Sequence, residues 1–225
     1  MNLISTRHDC RAALLGLALA WGAAACAEDL RGRLGPDAGP SPDGPVELLA
    51  QGSGGFDVRV EAKSDDDWIY LDLASAVGVA RAADEPPPAS ASWDIALRRF
   101  HIKLNGGASG PGQAATAWLG EVGFDDIDQV PAGAEFVTDE ADADGDGAPE
   151  YVMSTGETRW YDYNLMTHVL TPKQGTFVVR ASTGATYYRF EIRSYYDDAG
   201  TAGYPRIRWS ALTAPRSLNT NLSHR

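Results

Sequence analysis

Cysteine is nearly missing from this chain of 225 residues, which has only Cys10 and Cys26. Cys10 falls within an N-terminal segment that reads as a cleaved leader, so the mature chain keeps one cysteine and cannot close an internal disulfide. A membrane-spanning run is missing too. The uncharged stretch AALLGLALAWGAAA, Ala12 to Ala25, has 14 residues, short of the roughly 20 that a transmembrane helix needs. Basic residues are few, 19 against 31 acidic for a net charge of −12, which argues against a nucleic-acid partner held through phosphate contacts. After the leader no stretch of 12 residues carries a persuasive helical stripe; LDLASAVGVARAA comes nearest, and its valines and glycine count against it. The chain has no GxSxG elbow, no HExxH helix and no CxxC pair, so the sequence reads as a binding protein and not as an enzyme.

The leader has Arg7 and Arg11, then the uncharged run, then Cys26 directly after three alanines. Small residues before a cysteine suit a lipoprotein signal peptidase, which makes Cys26 the candidate lipidation site; Ala23 stands where such signals usually carry leucine. Cleavage at an Ala-x-Ala site, releasing a soluble protein, is the alternative. The organisation that follows is a lipoprotein signal peptide over residues 1–25, a Pro/Gly-rich tether over 26–45, one folded domain over 46–213 and a disordered polar tail over 214–225. The expected location is the outer membrane or cell surface, with the membrane touched only through the lipid.

What the chain does have is alternation of strand period. In TYYRFEIRSYY, Tyr188, Phe190 and Ile192 share one face while Arg189, Glu191 and Arg193 share the other, the pattern of a half-buried strand. It follows GTFVVR across a turn at Gly184, which predicts a hairpin over residues 176–196. A second hairpin runs through DDAGTAG into YPRIRWSAL, and FDVRVEA and DWIYLDLAS alternate likewise. In WDIALRRFHIKLN the apolar parity changes midway, from Trp93, Ile95 and Leu97 to Phe100, Ile102 and Leu104. A change of face within one strand predicts a β-bulge near Arg98 and Arg99, with Arg99, His101 and Lys103 then on the solvent side. GGASGPGQAATA and AADEPPPASAS read as loops. The expected fold is all-β: a single domain of antiparallel strands and hairpins with long loops.

Several of these segments in order, Trp93–Phe100, Lys103–Gly107 with its Gly-rich loop, Trp160-Tyr161-Asp162-Tyr163, the strand FVVR, the turn at Gly184 and RFEIRSYYDD, resemble the HmuY family of secreted bacterial lipoproteins that bind haem. The resemblance spans most of residues 56–212. It implies an all-β fold in which haem is gripped between loops and held by two axial side chains, and a haemophore-like role in which haem is captured outside the cell and passed to an outer-membrane haem receptor. The best-known members ligate through two histidines, one between the Trp-containing segments and one about five residues after the second Trp; here the latter position is Leu165, and neither holds histidine. Some relatives are similar in lacking the histidines and use methionine, a ligand haem iron accepts. The mature chain has two methionines, Met153 and Met166. They are the candidate haem ligands, with His168 as an alternative to Met166, because two residues on one short segment do not occupy opposite faces of a flat macrocycle. The competing readings are that methionine fills core gaps and that His168 packs locally. If haem ligation has been lost, what remains is a surface interaction module with this fold.

One further motif lies in DEADADGDGAPE, residues 139–150. Asp142, Asp144, Asp146 and Gly147 reproduce the DxDxDG start of a calcium loop, where alternate carboxylates converge on a hard cation. Glu150 offers a late ligand for Ca²⁺. The twelfth position, normally glutamate, is Met153, and no flanking helices are evident, so an acidic solvated loop is the competing reading.

Overall fold

A computed structural model of the protein describes residues 44–214, apart from 54, 90 and 91. The leader, Cys26, most of the tether and the tail lie outside the described residues. Twelve strands are formed among them: β1 Val46–Gly52, β2 Gly55–Val60, β3 Asp67–Asp72, β4 Val77–Ala82, β5 Ile95–Arg98, β6 His101–Leu104, β7 Ala115–Trp118, β8 Tyr161–Asn164, β9 Val169–Pro172, β10 Phe177–Arg180, β11 Tyr187–Tyr196 and β12 Ala202–Leu212. The described residues include no α-helix, only a 3-10 turn at Phe124–Asp126. The strands form an all-antiparallel six-stranded sheet in the order β1-β2-β12-β11-β10-β7, a four-stranded sheet in the order β4-β3-β5-β6, and the separate hairpin β8-β9.

The period-two pattern becomes the core directly. Phe190, Ile192, Ile207 and Trp209 of the large sheet share one buried cluster with Ile69, Leu71, Ile95, Leu97, Ile102 and Leu104 of the small one. The residues between them on β3, Trp68 and Tyr70, are buried as well, in a second cluster with Trp93 and Ala96 on the other face. Buried polar groups pin the sheets together. The Asp94 carboxylate accepts from the backbone N–H of Leu73 at 2.9 Å and of Ser182 at 2.7 Å, and the Trp209 indole donates to the Leu73 carbonyl at 2.7 Å. At the sheet edges the backbone of β4 comes close to β1: a Cβ built on Gly78 would lie 2.3 Å from Val46 Cγ2.

The hairpins at residues 176–196 and through DDAGTAG form as the alternation predicts, the first closing through Gly184 at φ +77°. The bulge does not form. Instead the chain reverses, with β5 and β6 paired antiparallel and Ile95 opposite Leu104 and Leu97 opposite Ile102. Arg99 and Phe100 make the two-residue turn, Arg99 at φ +53°. A two-residue reversal pairs odd-numbered positions with even-numbered ones, so Ile95 and Leu97 face the same core as Ile102 and Leu104, and the parity change has a simpler cause than an inserted residue; Trp93, ahead of β5, turns to the other cluster. His101 and Lys103 do lie on the opposite face from Ile102, yet they are half-buried against the second aromatic cluster. The segment nearest to a helix, residues 71–83, is instead the β3–β4 hairpin, and the loop expected over residues 106–117 ends in β7.

Candidate functional site

The β8–β9 hairpin begins just after the buried Trp160, whose indole donates to the Phe100 carbonyl at 2.9 Å. This bond fixes the start of the hairpin beside the β5–β6 turn. Further along, the Leu170 N–H donates to the Tyr196 hydroxyl at 3.0 Å, and the Lys173 N–H donates to the Trp160 carbonyl at 2.8 Å. The turn Leu165–His168 is shaped by Asn164, whose side-chain oxygen accepts from the N–H groups of Met166 and Thr167 at 2.9 and 3.1 Å, an asparagine use typical of turns. His168 closes it at φ +58°.

A groove of about 530 Å³ lies between this hairpin and the β5–β6 turn, lined by Phe100, Arg159, Tyr161, Tyr163, Leu165 and Leu170. Phe100 meets Tyr161 edge-on, with ring centroids 5.6 Å apart and planes at 74°. Burial pushes the Tyr161 hydroxyl above its ordinary range, and Arg159 partly opposes that. The Arg159 Nε donates to the Tyr161 carbonyl at 3.1 Å, which holds the one cation of this wall in place. Such a lining, apolar and aromatic with one charged group, is what a pocket for a flat organic ligand requires.

The candidate ligands fall in different surroundings. Met153 is fully buried, a member of the main core with Trp160, whose N–H donates to the Met153 carbonyl at 2.9 Å. Met166 is 90% exposed at the hairpin turn. The two do not flank a common cleft. His168 is exposed beside the groove, and its Nδ1 meets the hydroxyl of Tyr163 at 2.5 Å, a local contact of the kind the packing alternative expected. Phe100 and Arg159 were not singled out from sequence, although Phe100 and Trp160 both sit inside the motifs that carried the resemblance.

The acidic loop is a closed structure. Glu140 and Glu150 pair backbone to backbone at its base, and Gly145 and Gly147 adopt φ +81° and +88°, values that glycine tolerates without strain. Ligand oxygens of Asp142, Asp144, Asp146 and Glu150 all lie within 4.8 Å of one another. The Glu150 carboxylate accepts from the N–H groups of Ala143 and Asp144, of which the Ala143 bond is the main cause that holds its pKa below the usual range. Beneath the loop Asp139 is buried, and burial raises its carboxyl above the usual range against hydrogen bonds from the N–H groups of Leu104 and Val152.

On the second aromatic cluster the Lys103 ammonium lies 4.1 Å from the Trp68 ring centre and 4.8 Å from that of Tyr70, and it donates to the Tyr70 hydroxyl at 3.0 Å. Burial, followed by the charge of Arg98, pushes its pKa down to about 8.

With this geometry in hand, the family model described as HmuY protein matches residues 64–209. Solved structures share the fold. A Bacteroides vulgatus protein described as HmuY-like and haem-binding superposes with a TM-score of 0.57 at 18% identity, covering 73% of this chain and 97% of that one. A Bacteroides fragilis protein described as a lipoprotein gives 0.56 at 20% identity over 78% of this chain and 100% of the other. The apo HmuY analog of Tannerella forsythia gives 0.53 at 14% identity over 73% and 99%. No curated protein matches.

Proposed function

The chain belongs to the HmuY family, and on that premise we propose that it is a haem-binding protein of the cell exterior, without enzymatic activity, that takes its ligand in the groove beside the β8–β9 hairpin. The observation that carries this reading is the groove wall: two tyrosines, a phenylalanine and two leucines with Arg159 among them. Flat apolar rings stack on such walls, and Arg159 is placed to meet a carboxylate such as a haem propionate. The walls suit the macrocycle. A pair of opposed iron ligands does not accompany them, because Met153 is enclosed in the core and Met166 and His168 share one turn. When bound, haem would supply an iron centre and a conjugated ring; the chain's own part is to stack on the ring, exclude water from it and pair its carboxylate. Titration of the mature protein with ferric haem tests the reading. A shift of the Soret band that weakens in Tyr163→Ala is expected, and a flat titration removes it.

Anchorage through a diacylglyceryl group on Cys26 completes the proposal, with an outer-membrane haem receptor as the acceptor. Among the described residues no helix is long and apolar enough to cross a membrane. The mass of the mature protein tests the anchor, since an unmodified Cys26 or a start beyond it would remove it.

A second ligand is proposed for the acidic loop, Ca²⁺, on the convergence of Asp142, Asp144, Asp146 and Glu150 within 4.8 Å. Oxygen-only carboxylate sets with a glycine-permitted turn are what calcium takes. Heat on titrating Ca²⁺ into the wild type, lost in Asp144→Ala, is the expected result; flat traces for both would leave an acidic solvated loop and, with a flat haem titration, a surface interaction module.

A further inference from the structure

We infer that the groove grips the face of a tetrapyrrole ring and offers a central metal a donor from one side only, that of the β8–β9 hairpin. The inference rests on the haem reading above and departs from two-sided ligation because of where this chain's donor atoms lie. An axial ligand must present a lone pair from nitrogen, sulfur or oxygen. Phe100, Leu165 and Leu170 have none, and the guanidinium of Arg159 offers only N–H donors. The Tyr161 hydroxyl is turned away to the Ser154 carbonyl, to which it donates at 3.4 Å. Of the lining residues Tyr163 is the remaining donor, and Met166 and His168 stand near it on the hairpin turn; His101 packs on Phe100 at 4.1 Å between ring centres but lies against Tyr151 on the far side of that wall and does not line the groove.

Within that set His168 is the strongest candidate. Its Nδ1 is engaged by the Tyr163 hydroxyl at 2.5 Å, and Tyr163 is itself part of the groove wall. When the proton sits on Nδ1 and the phenol oxygen accepts it, Nε2 keeps its lone pair free, the arrangement in which an outer partner orients a ligating histidine. Met166 stands two residues earlier on the same turn and is 90% exposed. Met153 is the sole methionine off the hairpin among the described residues, and it is enclosed by the core at 0% exposure. Bringing its sulfur to the groove would open the main core. Affinity then resides in the ring contacts, and the iron adds little to it.

Two titrations of the mature protein separate this inference from the haem reading beneath it: one with ferric protoporphyrin, one with metal-free protoporphyrin, each followed by tryptophan quenching and absorption. We expect the two dissociation constants to agree within about tenfold, a difference of about 1.4 kcal/mol or less. The ferric complex should have a high-spin spectrum that added imidazole converts to a low-spin one. His168→Ala should alter that spectrum at a cost of less than about tenfold in affinity. A low-spin, six-coordinate spectrum without imidazole, or metal-free binding weaker by more than about a hundredfold, overturns the one-sided arrangement and leaves haem binding standing. Failure of both rings to bind removes both.

Discussion

The indole N–H of Trp160 reaches the carbonyl of Phe100, sixty positions earlier in the chain, at 2.9 Å. One residue leads into the groove's hairpin and the other is its opposite wall, so a single bond sets the spacing of the two sides. Trp160 is only 1% exposed. Trp160→Phe keeps a ring in the core and removes the donor, leaving the carbonyl with only the long contact from the Ser154 hydroxyl at 3.5 Å. A loss of about 0.5–1.5 kcal/mol is expected from removing one hydrogen bond to a half-buried acceptor. Urea denaturation measures it, and an unchanged midpoint would contradict the role given to this bond.

The two methionines should behave as opposites. Met153→Ala leaves a cavity in the main core and should cost about 2–5 kcal/mol, whereas Met166→Ala, at a site 90% exposed, should stay within about 0.5 kcal/mol of wild type. Paired denaturation curves check this. Equal effects would mean that the core does not enclose Met153.

Gly78 and Val46 test the seam between the sheet edges. Gly78→Ala would bring a Cβ to 2.3 Å from Val46 Cγ2, and overpacking of this kind costs about 1–3 kcal/mol. Val46→Ala makes the room, so the double variant should be more stable than the sum of the single effects predicts, a coupling that a double-mutant cycle reads directly.

Lys103 gives the stability a pH dependence with a definite sign. Its folded pKa of about 8 lies below the ordinary 10.5. Between those values the unfolded chain holds a proton that the folded one has released, so stability rises with pH across that window. Above 10 the buried tyrosines reverse the trend: burial pushes Tyr188 up to about 12 and raises Tyr70, so the unfolded chain ionises first and folding weakens. Denaturation midpoints measured from pH 7 to 11 should pass through a maximum. In Lys103→Met the rise should flatten while the fall persists; a rise of the same size in the variant would show that another group causes it.

Strands β2, β10, β11 and β12 of the large sheet were legible, most plainly β11, where one face meets the core at Phe190 and Ile192 and burial imposes a period of two; β7 was not, because Ala115, Thr116 and Ala117 are buried in succession and show no alternation. The β5–β6 turn was not legible as a turn. Arg99 and Phe100 bear neither glycine nor asparagine, and a two-residue reversal shifts apolar parity just as an inserted residue does. The groove was legible only in part. Tyr161 and Tyr163 stand in a recognisable motif, but the wall opposite comes from Phe100 through pairing distant in sequence, and no local pattern announces a contact of that range. Met153 shows the same limit: a methionine has one side chain for core or ligand use, and only the closure of the main core over it decides which.

One of the interior strands of the large sheet is the last one made. β12 has β11 on one side and β2 on the other, with Trp209 opposite both Phe190 and Phe56. A growing chain therefore cannot join its first strands to the rest of the sheet until its C-terminal end has emerged, and β1 and β2 wait as an unpartnered hairpin meanwhile. Contacts so far apart in sequence make folding slow. Under the export proposed above for this chain, that delay would keep it pliable during passage and place the completion of the fold on the far side of the membrane.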